Sequence, residues 1–234
     1  MFFEGAANPD FRRNIRSETV CRNLEFLVSP PIASSAQFVV NETYAKLLDT
    51  ACTLFARKGY FATSIREIAS AMGIQKASLY YYISSKEDLI YQISKAAIEH
   101  VTACVETALL QVTGPEERLY AFITSHVAGL LQHQNWHAAG NEELMHAFSL
   151  ERRKEIVAMR DQYEQKARDI LAEAQAAGLI RSDIPTKFLS LILFGMITNI
   201  YPWYQPEVDV LPSELGFLLA DLFFTGIAPV PRPN

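Results

Sequence analysis

The residues best suited to chemistry lie between Gly59 and Leu89. Lys76, Ala77 and Ser78 stand together after the breaker Gly73, and Tyr80, Tyr81 and Tyr82 follow them. On a helical wheel with Leu79 pointing inward, Ile83 falls near Leu79. Ala77 and Tyr81 fall almost opposite, flanked by Ser78 and Tyr80. Such a face is small, hydroxylic and aromatic, with an ammonium at its tip. Ala77 lets a helix approach base edges closely. Ser78 and the tyrosines can bond phosphates or bases, and Lys76 can reach guanine acceptors. The bland alternative for Tyr80, Tyr81 and Tyr82 is an aromatic stripe packed in a core.

Other constellations fail on number. His133 and His137 stand four apart, and Glu143 and His146 have a Glu-x-x-His spacing. A di-iron site needs a second copy of that motif, and zinc needs three or four converging ligands. No Gly-rich phosphate cradle, nucleophile elbow or Cys-x-x-Cys occurs. The expectation is no metal, no cofactor and no catalytic residue, hence not an enzyme.

These residues need helices to hold them. From Asn41, apolar side chains recur at three- and four-residue steps (Ala45, Leu48, Cys52, Phe55, Ala56), and Gly59 stops that helix. Thr63 or Ser64 can cap a second helix that ends at Gly73. The spacing predicts a third helix from about residue 75 to 82. Longer helices are expected near 85–110, 115–133, 140–149, 151–177, 184–203 and 212–226. No stretch alternates with period two for long, so the fold class is all-α. Two short helices joined by a Gly-containing turn and supported by a third make a helix-turn-helix. The expected organisation is an extension at 1–38 that ends in linker chemistry, a helix-turn-helix domain at 39–87, and a helical effector-binding and dimerisation domain at 88–228. Leu189, Leu193 and Phe194 with Leu215, Leu218, Leu219 and Leu222 are the expected dimer contact.

The chain has 234 residues, half of them hydrophobic, and a net charge of −5. That composition excludes a disordered tail and a wholly basic nucleic-acid coat. The charge is uneven: residues 39–90 carry net +1 and residues 91–234 carry net −6. Any contact with a phosphate backbone belongs to the first three helices. Three widely spaced cysteines cannot close a disulfide framework. The greasiest stretch, 188–204, is interrupted by Ser190, Thr198, Asn199 and Pro202, which suits a buried helix better than a membrane span. With no signal-peptide pattern at Met1 to Gly5, the expected location is the cytoplasm.

The run Gly59-Tyr-Phe-Ala-Thr-Ser-Ile-Arg-Glu-Ile-Ala69, continued by Gly73-Ile-Gln-Lys-Ala-Ser-Leu-Tyr-Tyr-Tyr-Ile-Ser-Ser-Lys-Glu-Asp-Leu89, resembles the DNA-binding domain of the TetR-type transcriptional regulators. The likeness covers about residues 41–90. Tyr82 stands where a His is common, Ile83 where a Phe is common, and Gln75 where a Ser is frequent. The resemblance implies that Thr63 and Ser64 cap the second helix and lean on a phosphate. It places Gln75, Lys76, Ala77 and Ser78 in the major groove of an operator. It has Tyr80 and Tyr81 touching bases or backbone, and Lys86 clamping a phosphate. It also implies a homodimer and a small-molecule effector.

Residues 160–168 and 203–206 resemble the branch that regulates fatty-acid, steroid and aromatic-acid breakdown, several of whose members respond to coenzyme A thioesters. Trp136, Met145, Phe148, Tyr163, Phe194, Tyr201 and Trp203 offer an apolar lining. Arg160, with Arg152, Arg153 and Lys154, offers contacts for the phosphates of a coenzyme A head group. The alternatives are a free aromatic acid or a neutral lipophile as the effector, ordinary core packing for the apolar lining, and a solvated helix face for the basic cluster. A ligand-released repressor is the leading expectation, and an effector-independent architectural or division-control protein the second.

Overall fold

The computed structural model describes residues 42–139, 148–205 and 210–228. Among these residues the chain forms nine helices and no strand: α1 (Glu42–Lys58), α2 (Ile65–Met72), α3 (Lys76–Leu79), α4 (Lys86–Leu109), α5 (Pro115–Gln132), α6 (Gln134–Ala139), α7 (Leu150–Ala176), α8 (Thr186–Thr198) and α9 (Pro212–Gly226). No helix among them is long and apolar enough to cross a membrane. The expected helix at 140–149 falls mostly outside the described residues, and Phe148 and Ser149 are not helical. A short helix stands before it instead, at α6.

The chain divides into two compact units, and the division differs from the expected boundary at 87/88. One unit holds the described residues up to His100 together with His133–Asp161. The other holds Val101–Gln132 and the chain from Gln162 onward. The cause is the length of α4 and α7. Each runs unbroken past the point where its buried face changes partners.

The first unit is the head. Leu47, Leu48, Ala51, Cys52 and Phe55 of α1 bury against Ile68, Ala69 and Met72 of α2, Leu79 of α3, and Leu89, Ile90 and Ile93 of α4. Two glycines do what other residues do poorly. Gly59 (φ 85°) and Gly73 (φ 70°) end α1 and α2 in the left-handed region, where a Cβ would be strained. Trp136 and Phe148, expected in an effector pocket, are buried in this core. The Trp136 indole N–H donates to Asp49 of α1 at 2.7 Å, and the Phe148 ring meets Tyr91 of α4 edge-on. His133 stacks on Trp136, with centroids 3.8 Å apart, and meets His100 edge-on at 4.7 Å. His137 is held neutral, its pKa lowered to about 4 by burial and then by His100, His133 and Arg160 nearby. Among the described residues no group of three or more His, Cys, Asp and Glu side chains can hold a metal ion.

The second unit is the body. Its core joins α5, the second half of α7, α8 and α9 through Leu119, Phe122, Ile123, Leu171, Leu189, Leu193, Ile197 and Phe223, among others. The expected dimer contact is corrected here. Leu189, Leu193 and Leu215 are 0 %, 1 % and 6 % exposed, so they are spent on the body's own core. The exposed apolar side chains of α8 are Phe188, Leu191 and Ile192, and Leu222 is exposed on α9.

Helices α5 and α9 approach closely at Gly216. A Cβ there would lie 2.9 Å from the Thr124 Cα and 3.0 Å from its carbonyl oxygen, and backbone cannot swing aside. Gly216→Val is expected to cost ~1–3 kcal/mol through overpacking. Thermal unfolding followed by circular dichroism checks this, and an unchanged midpoint would show that the helices have room to separate.

Candidate functional site

The head presents α2 and α3 as a helix-turn-helix, and the geometry starts at the turn before α2. Ser64 is the N-cap, in extended conformation (φ −104°, ψ 152°). Its hydroxyl oxygen accepts the Glu67 backbone N–H at 3.2 Å, and a Glu67 carboxylate oxygen accepts the Ser64 N–H at 2.8 Å. This capping box satisfies two donors that a helix start otherwise leaves open. Lys58 at the end of α1 donates to the same carboxylate at 2.6 Å. The Lys58 bond first, then the two Ser64 bonds, hold the Glu67 carboxyl down at about 2.

Thr63 is placed differently from the expectation. It is 1 % exposed, and its hydroxyl donates to Gly59 O at 2.9 Å and more weakly to Leu54 O at 3.4 Å. It caps the end of α1 rather than the start of α2, and its hydroxyl points inward. The β-branched side chain and the left-handed Gly59 favour that inward bond, which the type and spacing of the residue alone do not reveal.

Helix α3 is a single turn, shorter than the expected span of 75–82. The Tyr81 and Tyr82 amides reach back three residues, to Ser78 O at 3.3 Å and Leu79 O at 2.9 Å, so the chain tightens into a turn. Three consecutive aromatic residues are weak helix formers. Leu79 and Ile83 anchor the segment at 0 % and 2 % exposure. Gln75, Lys76, Ala77 and Ser78 are exposed. Tyr80 is 49 % and Tyr81 85 % exposed. The Lys76 ammonium lies 5.6 Å from the Tyr80 ring centroid, a cation–π distance. Tyr82 is half-buried and packs towards Tyr44 of α1.

Lys86 is also placed differently. Its ammonium donates to Tyr60 O at 2.9 Å and Thr63 O at 3.0 Å, with Phe61 O at 3.5 Å. It sits 4.4 Å from the Tyr60 ring centroid. Burial pushes its pKa down.

In the body, Tyr163 of α7 and Phe194 of α8 do come together, with centroids 5.9 Å apart. Phe122 and His126 of α5 complete an aromatic cluster around them. The Tyr163 hydroxyl and His126 Nδ1 share a hydrogen bond of 3.0 Å. Burial drives the Tyr163 pKa far up, so the phenol stays protonated. Sequence reasoning missed Phe122 and His126. The available signal was a histidine four residues after a phenylalanine in an otherwise apolar helix. Tyr201 is half-buried against the body core, Trp203 is 54 % exposed, and Met145 lies outside the described residues. Arg160 is exposed, on the part of α7 that belongs to the head unit. Arg152 is committed to Asp88 at 2.7 Å and stacks over Tyr91. The expected Arg–Lys cluster for a coenzyme A head group therefore loses one member to an ion pair.

Comparison with known proteins settles the family. Residues 47–93 match the model of the bacterial regulatory proteins of the tetR family, and residues 112–227 match the tetracyclin repressor-like C-terminal domain. The chain belongs to the TetR family. Its relatives include the HTH-type transcriptional repressor KstR2 of Rhodococcus jostii, 25 % identical over 183 residues, which are 78 % of this chain and 90 % of that one. Among solved structures, the TetR regulator PfmR of Thermus thermophilus superposes with a TM-score of 0.70 at 28 % identity, covering 76 % of this chain and 97 % of PfmR. AibR, solved with isovaleryl coenzyme A and operator DNA, gives 0.61 at 28 % identity, covering 80 % of this chain and 99 % of AibR. This is a family of DNA-binding transcriptional repressors, some of them ligand-responsive.

The cap defines the local prediction. Ser64→Ala is expected to destabilise the head by ~1 kcal/mol. The Glu67 part is pH-dependent. Its folded pKa lies below its unfolded value, so its contribution is complete above pH 4.5 and is lost as pH falls towards 2. Thermal midpoints of the native chain and Glu67→Gln should therefore differ most above pH 4.5, and the gap should narrow steadily as pH falls from 4.5 towards 2. A constant gap would remove the carboxylate from the cap.

Proposed function

We propose that this TetR-family protein is a homodimeric repressor that leaves a near-palindromic operator when a coenzyme A thioester binds its body. The observation that carries the DNA part is the exposure of Gln75, Lys76, Ala77, Ser78, Tyr80 and Tyr81 around a buried Leu79. A four-residue α3 gives few base contacts, so tight selection needs two heads. A two-fold dimer would set them in successive major grooves, ~34–36 Å apart. Phe188, Leu191 and Ile192 of α8 and Leu222 of α9 would form the contact across the axis, replacing the inward leucines. Ser64 and Lys76 are the side chains offered to phosphates.

Support for the effector comes from two sides. The cluster of Phe122, His126, Tyr163 and Phe194 is aromatic, with one polar pair. That chemistry suits an acyl or ring group with one hydrogen-bonding atom. The neighbour AibR carries isovaleryl coenzyme A, and the relative KstR2 is a repressor by name. The acyl group would be fatty, alicyclic or aromatic. Release follows if the thioester favours a conformation whose heads no longer fit the groove spacing. A hundredfold loss of operator affinity needs ~2.7 kcal/mol of coupling.

The test uses an operator that the protein itself selects from a randomised duplex library. Ala77→Glu should abolish binding to it without lowering the thermal midpoint, because bulk and negative charge enter the groove-facing position. Full affinity would remove Ala77 from the interface. Gel-shift titration of an acyl-coenzyme A panel, the matching free acids and coenzyme A alone should show release by thioesters only. Release by free acids would reject the thioester and keep the repressor. Release by none of them would favour the effector-independent alternative.

A further inference from the structure

We infer that α6 is seated on the head by a proton-sensitive latch, and that mild acid frees α6 from α1 and weakens operator binding. The chain re-enters the head unit at His133, and α6 follows. What seats it is an aromatic stack. The Trp136 ring is buried in the head core, with its N–H on Asp49 of α1 at 2.7 Å. His133 covers that ring at 3.8 Å. His100 of α4 stands edge-on to both, 4.7 Å from His133 and 6.5 Å from Trp136. One turn on, His137 Nε2 is buried with no hydrogen-bond partner among the described residues.

The charges around this stack make it intolerant of protons. Asp49 stands 3.9 Å from His133 Nδ1, but its side chain is 58 % exposed and already holds the Trp136 N–H. The groups that act on His137 are His100 of α4, His133 and Arg160 of α7, each a cation when charged, and among the described residues no carboxylate joins them. A proton on Nε2 of His137 would make a buried N–H that lacks an acceptor and faces like charge. A proton on His133 would face His100, with one exposed carboxylate to draw it. Burial first, then the neighbouring cations, lower the pKa of both imidazoles, that of His137 from 6.5 to about 4. A histidine depressed in this way gives stability that is complete above its unfolded pKa of 6.5 and is lost as pH falls towards 4. For His137 alone, lowering the pH from 7 to 5.5 favours the freed state about eightfold. Trp136 leaves with α6, and the core that supports α2 and α3 loses its bulk.

Only the operator arm of the experiment rests on the DNA-binding reading. Without DNA, hydrogen exchange of the full chain is followed by NMR from pH 7 to 5.5 and expressed as protection relative to free peptide at the same pH. Protection of the Trp136 indole N–H and of the amides at 136–139 should fall at least eightfold, with 189–197 in the body unchanged. In His137→Gln, which cannot take the proton, the fall should be at least fourfold smaller. Level protection in the native chain, or an equal fall in His137→Gln, overturns the latch. Should His137→Gln fail to fold, His100→Gln decides. Losing one like charge lets the remaining imidazoles protonate in place, so the fall should shrink, and an unchanged fall overturns the latch. With DNA, affinity for an operator selected at pH 7 is compared at pH 7 and 5.5 in the same salt. The native chain should lose at least fivefold more than His137→Gln, and equal losses would overturn the latch as a control of operator binding. Native protein that selects no duplex at pH 7 while protection still titrates would overturn the DNA-binding reading and leave the latch in place.

Discussion

The head depends on how a six-residue turn disposes of its carbonyl groups. Between the end of α1 at Lys58 and the start of α2 at Ile65, the chain makes few backbone hydrogen bonds of its own. Carbonyls in a turn take partners from side chains or water. Two side chains supply the partners. The Thr63 hydroxyl serves Leu54 and Gly59, and the Lys86 ammonium serves Tyr60, Phe61 and Thr63. Ser64 then starts α2, Gly73 ends it, and α3 follows after two residues. An error at the turn would travel through α2 to the exposed face of α3, because α2 is only eight residues long and packed as one piece.

The brevity of α3 changes how the reading surface should be understood. One helical turn cannot present a long stripe. Its exposed residues continue into a tight turn, where Tyr81 projects and Tyr82 folds back onto the head. Leu79 and Ile83 make this possible. Both are buried, and both Tyr82 and Ile83 bond back to the Leu79 carbonyl. Rigidity here comes from the anchors, not from helix length, since so short a helix has no stability of its own.

Much of this was legible in the sequence because local rules decide it. Gly59 and Gly73 need the left-handed region, Ser64 and Glu67 stand at capping-box spacing, and Leu79 must point inward. The illegible parts depend on partners distant in the chain. Lys86 lies 26 residues from Tyr60, and nothing in its own neighbourhood says that its ammonium turns towards carbonyls. Trp136 and Phe148 read as pocket lining because they are apolar and lie beyond the head in sequence. Their place in the head core follows from α6 and the start of α7 returning to α1 and α4, which periodicity does not encode. Tyr163 and Phe194 were legible as apolar residues on inward faces, but their partner His126 was hidden by its apolar setting.

Helix α8 shows the same limit and its consequence. Leu189, Leu193 and Ile197 repeat every four residues and fill the body core. Phe188, just before Leu189, and Leu191 and Ile192, between Leu189 and Leu193, stay about half exposed. A helix apolar on both faces has no single inward side in its sequence, so period alone could not choose between the two sets. Packing chooses by geometry: α9 and α5 already occupy the side of Leu189 and Leu193. The remaining large side chains form an exposed apolar patch, which costs solubility unless another surface covers it. A second copy of the chain offers the same residues across a two-fold axis. The inward leucines hold the body together, and the outward Phe188, Leu191 and Ile192 are left for the proposed contact between two bodies.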